Sequence, residues 1–192
     1  LPVAERDSAL VDEADAKAML AAAGVTVPAG FKVESPQEAG KRAAAMTGPF
    51  VVKGLGLAHK TEAGAVRLEV EAGAVEAVAA EMQASTFLIE EMITDGVAEL
   101  LIGVMRDPAH GFVLPLGAGG TLTELWQDTV SLLLPSSNDQ VSAALNTLRI
   151  APLLQGYRGQ PAVDLDAILA GIGTITAFVV APAATQSEIE IN

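Results

Sequence analysis

Three strand-like segments follow one another in the middle of the chain, at Thr86–Glu91, Glu99–Met105 and Phe112–Leu116. The stretches between them are too short to hold a crossover helix, which a parallel pair requires, so this region favours antiparallel pairing. No G-x-G-x-x-G follows the first apolar strand, Phe50-Val-Val-Lys53, so the order is not that of a doubly wound dinucleotide fold.

The remaining elements fall around this centre. Leu1–Ala9 reads as a linker, and a helix at about Val11–Ala23 carries Asp12, Glu13 and Asp15 early and Gly24 as its stop. Val25–Pro28 is extended. Ser35-Pro36-Gln37-Glu38 forms a capping box that opens a helix ending near Gly48. After Lys53 comes a loop, Gly54–Gly64, with three glycines; Val66, Leu68 and Val70 then alternate with Arg67 and Glu69 as in a strand. An alanine-rich helix covers about Ala74–Gln83. Gly117-Ala-Gly-Gly120 is a second glycine loop. Asn138 or Asp139 caps a helix running to Arg149, Asp164 caps another to about Val180, and Glu188–Asn192 is a final strand.

Composition removes several functions. Lys plus Arg is 11 against 24 Asp plus Glu, a net charge of −13, which argues against nonspecific binding to nucleic acid or an anionic membrane. The chain has no cysteine, so disulfides, thiolate zinc sites and a cysteine nucleophile are excluded, and a reducing, cytoplasmic setting is compatible. Two histidines, His59 and His110, cannot make a three-histidine zinc site. No basic-then-apolar leader is visible at the N-terminus. Ala167–Ser187 is uncharged, but its glycines, threonines and Pro182 suit a packed helix entering a loop better than a membrane span. Within it, Ile168, Ile172, Ile175 and Val179 form one apolar stripe; the small residues elsewhere on the helix are covered either by the same domain or by a partner.

Four places can carry chemistry. Lys53 ends an apolar strand beside a glycine loop, where an ammonium and loop amides can meet a phosphate; a lysine snorkelling at a strand end is the plainer reading. His59, Lys60, Thr61 and Glu62 sit together in that loop. The imidazole can accept a phosphoryl group beside a compensating cation, or the loop is simply solvated. Glu91 and Glu99 flank a short turn and can serve one nucleotide, one near the base and one at the ribose, or they are strand-end charges. Glu188, Glu190 and Asn192 share a face of the last strand, suiting a hard cation or the protection of an exposed edge. Arg106, Asp107 and His110 belong to a turn around Pro108.

In chain order these stretches resemble the ATP-grasp domain of NDP-forming acyl-CoA synthetases, the family of ADP-forming acetyl-CoA synthetase, related to succinyl-CoA synthetase beta subunits. The resemblance covers about Val11 to Asn192. It rests on Phe50-Val-Val-Lys53, His59-Lys-Thr-Glu-Ala-Gly-Ala-Val66, Ile89-Glu-Glu-Met92, Ala98–Pro108, Gly117–Gly120 with Glu124 and Asp128, Gly156-Tyr-Arg-Gly159 with Asp164, and Glu188–Asn192. It implies an α+β ATP-grasp fold, two subdomains with mainly antiparallel sheets around a nucleotide cleft. Residues 10–192 would form the domain. About 25–105 would hold the Lys53 strand, the His59 loop and the hinge, and about 106–192 the second glycine loop and the metal-site strand.

The resemblance further implies ATP or ADP and Mg²⁺ as cofactors, with CoA used by a partner. Lys53, with Gly54 and Lys60, would meet the phosphates. Glu91 and Met92 would meet the adenine, and Glu99 the ribose. Glu190 and Asn192 would lie at Mg²⁺, and His59 would carry phosphate. The implied partner is an acyl-CoA ligase or CoA-binding domain or subunit, in a homo- or hetero-oligomer. The family continues past the equivalent of Asn192 to another acidic magnesium ligand, and it has Gly-Gly-Val where this chain has Gly64-Ala65-Val66. A non-catalytic ATP-grasp-like module beside an acyltransferase is the alternative; Lys53, His59, Glu91 and Glu99 together favour the enzyme. A carboxylate–amine ligase is a further rival, disfavoured by the His59-Lys60 pair.

Overall fold

Each half of the sequence folds onto its own four-stranded antiparallel sheet. The computed structural model describes residues 9–56, 64–120, 123, 127–181 and 186–191. Packing divides the chain into one unit of Leu1–Ala22 with Val27–Thr94 and another of Ala23–Thr26 with Asp95–Asn192.

The first unit contains α1 (Glu13–Ala22), β1 (Gly30–Val33), α2 (Pro36–Ala43), β2 (Phe50–Gly54), β3 (Val66–Val70), α3 (Val75–Glu81) and β4 (Phe87–Glu91), and its sheet order is β1-β4-β2-β3. Alternation builds its core. Phe31 and Val33 of β1, Phe50 and Val52 of β2, and Phe87 and Ile89 of β4 point to one face and bury against Ala39 and Ala43 of α2 and Val75 and Ala79 of α3. Ser35 caps α2 by accepting from the Glu38 amide, which is one half of the expected capping box; the Glu38 carboxylate lies 4.0 Å from Arg42 one turn on. The helix stops at Ala43, short of the expected Gly48, because the amides of Ala44 to Met46 turn back into a tightened last turn.

The second unit contains β5 (Leu100–Asp107), β6 (Gly111–Ala118), β7 (Thr129–Leu133), α4 (Asn138–Leu145), α5 (Ala151–Leu154), α6 (Leu165–Val180) and β8 (Glu188–Ile191), ordered β7-β6-β5-β8. Val104, Leu114 and Leu116 are buried on the sheet, and Val141, Leu145, Leu169, Ile172, Ile175 and Val179 on the helices. The β5–β6 turn closes on Asp107, whose carboxylate accepts from the Ala109 and His110 amides and lies 2.8 Å from His110 Nδ1.

Three differences from expectation have physical causes. First, β4 does not join β5 and β6 in one meander. It is buried along most of its length and inserts between β1 and β2 in the first sheet, while β5 pairs with β6 and β8 in the second. Second, β1 and β7 are short edge strands that the sequence reading passes over. Third, the helix expected from residue 138 to Arg149 breaks after Leu145. It starts from Ser137, which forms a capping box with Gln140, and the amides of Arg149 and Ile150 turn to the buried carboxylate of Asp128. No helix among the described residues is long and apolar enough to cross a membrane.

Candidate functional site

The face of the first sheet opposite α2 and α3 is charged. Strand register puts Gly30 beside Glu90 and Lys32 beside Leu88, and puts Val51 beside Glu90 and Lys53 beside Leu88. Directly paired residues share a face, so Lys32, Lys53 and Glu90 all project away from the apolar core. Helix α1 meets them there. Lys53 Nζ lies 2.5 Å from Glu13 Oε1 and 3.0 Å from Glu90 Oε2. Lys17, one turn along α1 from Glu13, donates to both Glu90 oxygens at 2.6 and 2.7 Å and lies 3.2 Å from Glu13. Lys32 pairs with Asp12 at 2.6 Å and Asp15 at 3.1 Å.

Glu90 is 3% exposed and, with Asp128, is one of two buried charged residues among those described. A carboxylate out of water needs partners for its oxygens, and Lys17 and Lys53 provide them. Gly30 makes room for it: a Cβ there would stand 2.8 Å from Glu90 Cγ and 2.7 Å from the Ile89 carbonyl oxygen. Burial opposes the charge on Lys53, but the hydrogen bonds and charges of Glu13 and Glu90 outweigh it and raise its pKa above the ordinary lysine value.

The neighbouring expected residues are committed differently. The Gly54 amide donates to the Ala65 carbonyl and the Leu55 amide to Thr86, so these two N–H groups belong to the sheet. Glu91 clasps Ala29: its amide donates to the Ala29 carbonyl at 2.8 Å and its Oε1 accepts from the Ala29 amide at 2.9 Å. The Met92 amide donates to Pro49, and its sulfur accepts from the Glu69 amide at 3.3 Å. His59, Lys60, Thr61 and Glu62 lie outside the described residues, as do Glu124 and Asn192.

The second unit has its own candidate surface. Gly119 donates to the Glu99 carbonyl, extending the β5–β6 ladder by one rung. Glu99, Gly103, Gly117 and Gly119 therefore share the face turned away from the buried Val104, Leu114 and Leu116. Glu190, opposite Gly103 on the edge strand β8, lies on that face and is exposed. Four residues along the strand separate Glu99 from that rung, roughly 13 Å. The Glu99 carboxylate covers Gly120, where φ is +86° and an added Cβ would stand 2.5 Å from Glu99 Oε2. No group of three or more Asp, Glu or His side chains among the described residues could hold a metal by itself.

Glu13, Lys17 and Glu90 are the members of the Lys53 cluster that sequence reasoning did not select. Parity could have found Glu90: with Phe87 and Ile89 in the core, Leu88 and Glu90 must face the other way.

The family described as "ATP-grasp domain" matches residues 3–192. The chain is 32% identical over 183 residues to a trans-feruloyl-CoA synthase from an unknown prokaryotic organism, covering 88% of this chain and 26% of that protein. It is 26% identical over 170 residues to the beta subunit of an ADP-forming acetate–CoA ligase of Pyrococcus furiosus, covering 81% of this chain and 73% of the subunit. The acetyl-coenzyme A synthetase 1 of Ca. Korarchaeum cryptofilum, solved with coenzyme A and Ca-AMPCP, superposes with a TM-score of 0.83 at 23% identity, over 95% of this chain and 85% of that one, and shares its fold.

Proposed function

The chain belongs to the ATP-grasp domain family, and on that premise we propose that it is the nucleotide-handling part of an ADP-forming acyl-CoA synthetase. The reaction is acid + CoA + ATP ⇌ acyl-CoA + ADP + phosphate. The acyl-CoA half is supplied by a ligase domain or subunit, fused or separate, in a homo- or hetero-oligomer. The setting is cytoplasmic, where ATP and CoA are both at hand.

The observation that carries this reading is Lys53: a largely buried ammonium at a strand end, held charged by Glu13 and Glu90. A fixed cation of that kind suits a polyphosphate, since it is already oriented before the ligand arrives. In this reading Lys53 and Lys60 hold nucleotide phosphates, and Gly54 lets the chain leave the strand beside them. Glu91 and Met92 border the adenine, and their committed amides make that border rigid. Glu99 accepts from the ribose hydroxyls, beside Leu101 and the glycine backbone of Gly117 and Gly119 on the same face.

Mg²⁺ bound to ATP neutralises phosphate charge and orients the transferred group. Magnesium keeps several waters and uses one or two carboxylates beside substrate phosphates, so Glu190 with Asn192 suits an ion that arrives with the nucleotide. His59 accepts the phosphoryl group: an imidazole nitrogen attacks the γ-phosphorus, the bond to the β–γ bridging oxygen breaks, and ADP leaves. The phosphoryl group then passes towards the acyl-CoA half.

The test is incubation of the chain with γ-labelled ATP and Mg²⁺. The expected product is an acid-labile, base-stable label on the protein that His59→Ala abolishes while ATP binding persists. Labelling equal to wild type in His59→Ala would remove the phosphohistidine role.

A further inference from the structure

The ammonium of Lys53 is already occupied. Glu13 Oε1 and Glu90 Oε2 take two of its three donors, and among the described residues these two carboxylates balance the charges of Lys53 and Lys17. A phosphate approaching Lys53 therefore meets an ammonium whose charge is already offset, and it gains that charge in full only when one carboxylate yields.

The two carboxylates are not equivalent. Glu90 is buried in the central strand of its sheet, with one oxygen on Lys17 and the other on both lysines. Glu13 has a side chain 28% exposed and projects from a helix that the apolar core scarcely holds: Leu20 is the one buried residue of α1. A solvent-open pocket of about 280 Å³, lined in part by Ala14, Ala18, Ala21, Phe31 and Leu88, lies between the helix and the sheet. Ion pairs therefore do much of the docking of α1, at Lys17–Glu90, Lys53–Glu13 and Lys32–Asp15, with Asp12 just ahead of the helix also on Lys32. Moving Glu13 aside uncovers little apolar surface, whereas moving Glu90 would strand a buried charge.

We propose that Glu13 is the exchangeable partner of Lys53, a carboxylate that yields the ammonium to a nucleotide phosphate and so sets the affinity of the site. Glu90 stays and keeps Lys53 aimed; Lys17 keeps Glu13 nearby for return. A polyphosphate wins the exchange because it brings more negative charge to the same ammonium than a carboxylate does. A singly charged anion does not, so Glu13 also screens the site against small carboxylates. This inference rests on the assignment of Lys53 to a nucleotide phosphate.

The experiment is a double-mutant cycle on the full chain, reading the dissociation constant of Mg-AMPPCP by calorimetry for wild type, Glu13→Gln, Lys53→Met and the double variant. The expected result is at least fivefold tighter binding for Glu13→Gln, no such gain in the Lys53→Met background, and weaker binding for Lys53→Met alone. Unchanged or weaker binding in Glu13→Gln, with Lys53→Met still weakened, overturns the exchange and leaves the Lys53 assignment standing. A gain that persists without Lys53 also overturns it, since the effect would then be general charge removal. No effect of Lys53→Met overturns both. Glu13→Ala is the second variant; unfolding of both Glu13 variants shows a structural carboxylate and rejects the proposal.

Discussion

Lys53 of β2 and Glu90 of β4 sit on neighbouring strands, offset by one rung on the same face, with Nζ and Oε2 3.0 Å apart. The pair ties the strand-end ammonium to the most buried carboxylate described in the protein. Its geometry follows from alternation: each residue that faces the core on these strands obliges the next to face α1.

Glu90→Gln tests how far that pair holds the unit together. The amide keeps the shape but removes the charge that Lys17 and Lys53 share, leaving both ammoniums with Glu13 alone in the cluster. Breaking a fully buried ion pair costs about 3–5 kcal/mol. Both lysines retain some solvent contact, with side chains 26% and 19% exposed, so the loss should be nearer ~2 kcal/mol. Urea unfolding measures it, and a change below ~0.5 kcal/mol would show that water replaces the carboxylate without loss.

Alkaline pH should weaken the same contact. Burial works against the Lys53 charge, but Glu13 and Glu90 outweigh it and raise the folded-state pKa above the ordinary value of 10.5. A raised pKa means that the folded state holds the proton more tightly. The contribution is full below the ordinary value and is lost as pH rises through the folded value. Stability measured from pH 9 upward should fall more steeply for wild type than for Lys53→Met in the window above 10.5. Parallel curves would mean that Lys53 is not tied to folding.

At the acid end the pair on the same sheet face has the opposite sign. The hydrogen bond from Lys32 is the main influence holding the Asp12 carboxyl below its ordinary value. Its contribution is present above that ordinary value and disappears as pH falls through the lowered one. Asp12→Asn should therefore lose its difference from wild type in strong acid, as read by the unfolding midpoint at successive pH values.

Asp128 offers a cleaner stability test because its role is confined to backbone. Its carboxylate accepts from Arg149 at 2.9 Å and Ile150 at 3.2 Å and is 8% exposed. Asp128→Ala leaves two amides without that acceptor and should cost about 2–4 kcal/mol, from the charge-assisted bonds lost. Asp128→Asn retains one acceptor oxygen and should recover about half. Equal losses for the two variants would point to the side-chain charge rather than to acceptance.

Much of the architecture was legible because it rests on period and punctuation. β2, β6 and α6 follow their apolar patterns, and Ser35 and Asp164 start helices where their side chains can cap. β3 forms where expected, but a bulge at Glu69, with φ +55°, breaks the alternation of Val66, Leu68 and Val70 and leaves Leu68 60% exposed. What was not legible depends on partners remote in sequence. Phe87-Leu-Ile-Glu90 reads as a buried strand but carries no mark of which sheet it enters. β1 is four residues long, so its alternation of Phe31 and Val33 with Gly30 and Lys32 is too short to stand out in the sequence. The break after Leu145 is caused by Asp128, which no local signal reveals. At the candidate site, Lys53 stood out as a lysine before a glycine loop. Glu90 was overshadowed by Glu91, though burial and two lysines set it apart.

The surface of α6, uncharged after Asp166, gives a final contrast. Leu169, Ile172, Ile175 and Val179 are its buried residues; Leu169 stands in the stripe where Ile168, only half-buried, was expected. Ala170, Gly173 and Ala177 are exposed. Their small side chains are therefore not required by the packing of this unit. Ala170→Lys would place an ammonium four residues after Asp166, an arrangement worth ~0.3–0.5 kcal/mol on an exposed helix, and lysine propagates a helix nearly as well as alanine. Ala170→Lys and Ala177→Lys should each leave stability within ~0.5 kcal/mol of wild type. Ile175→Ala, on the buried stripe, should lose about 2–5 kcal/mol. Thermal and urea unfolding of the three variants measure this difference between the two sides of one helix. If Ala177→Lys destabilised as much as Ile175→Ala, the small-residue side would have to be covered in the folded protein.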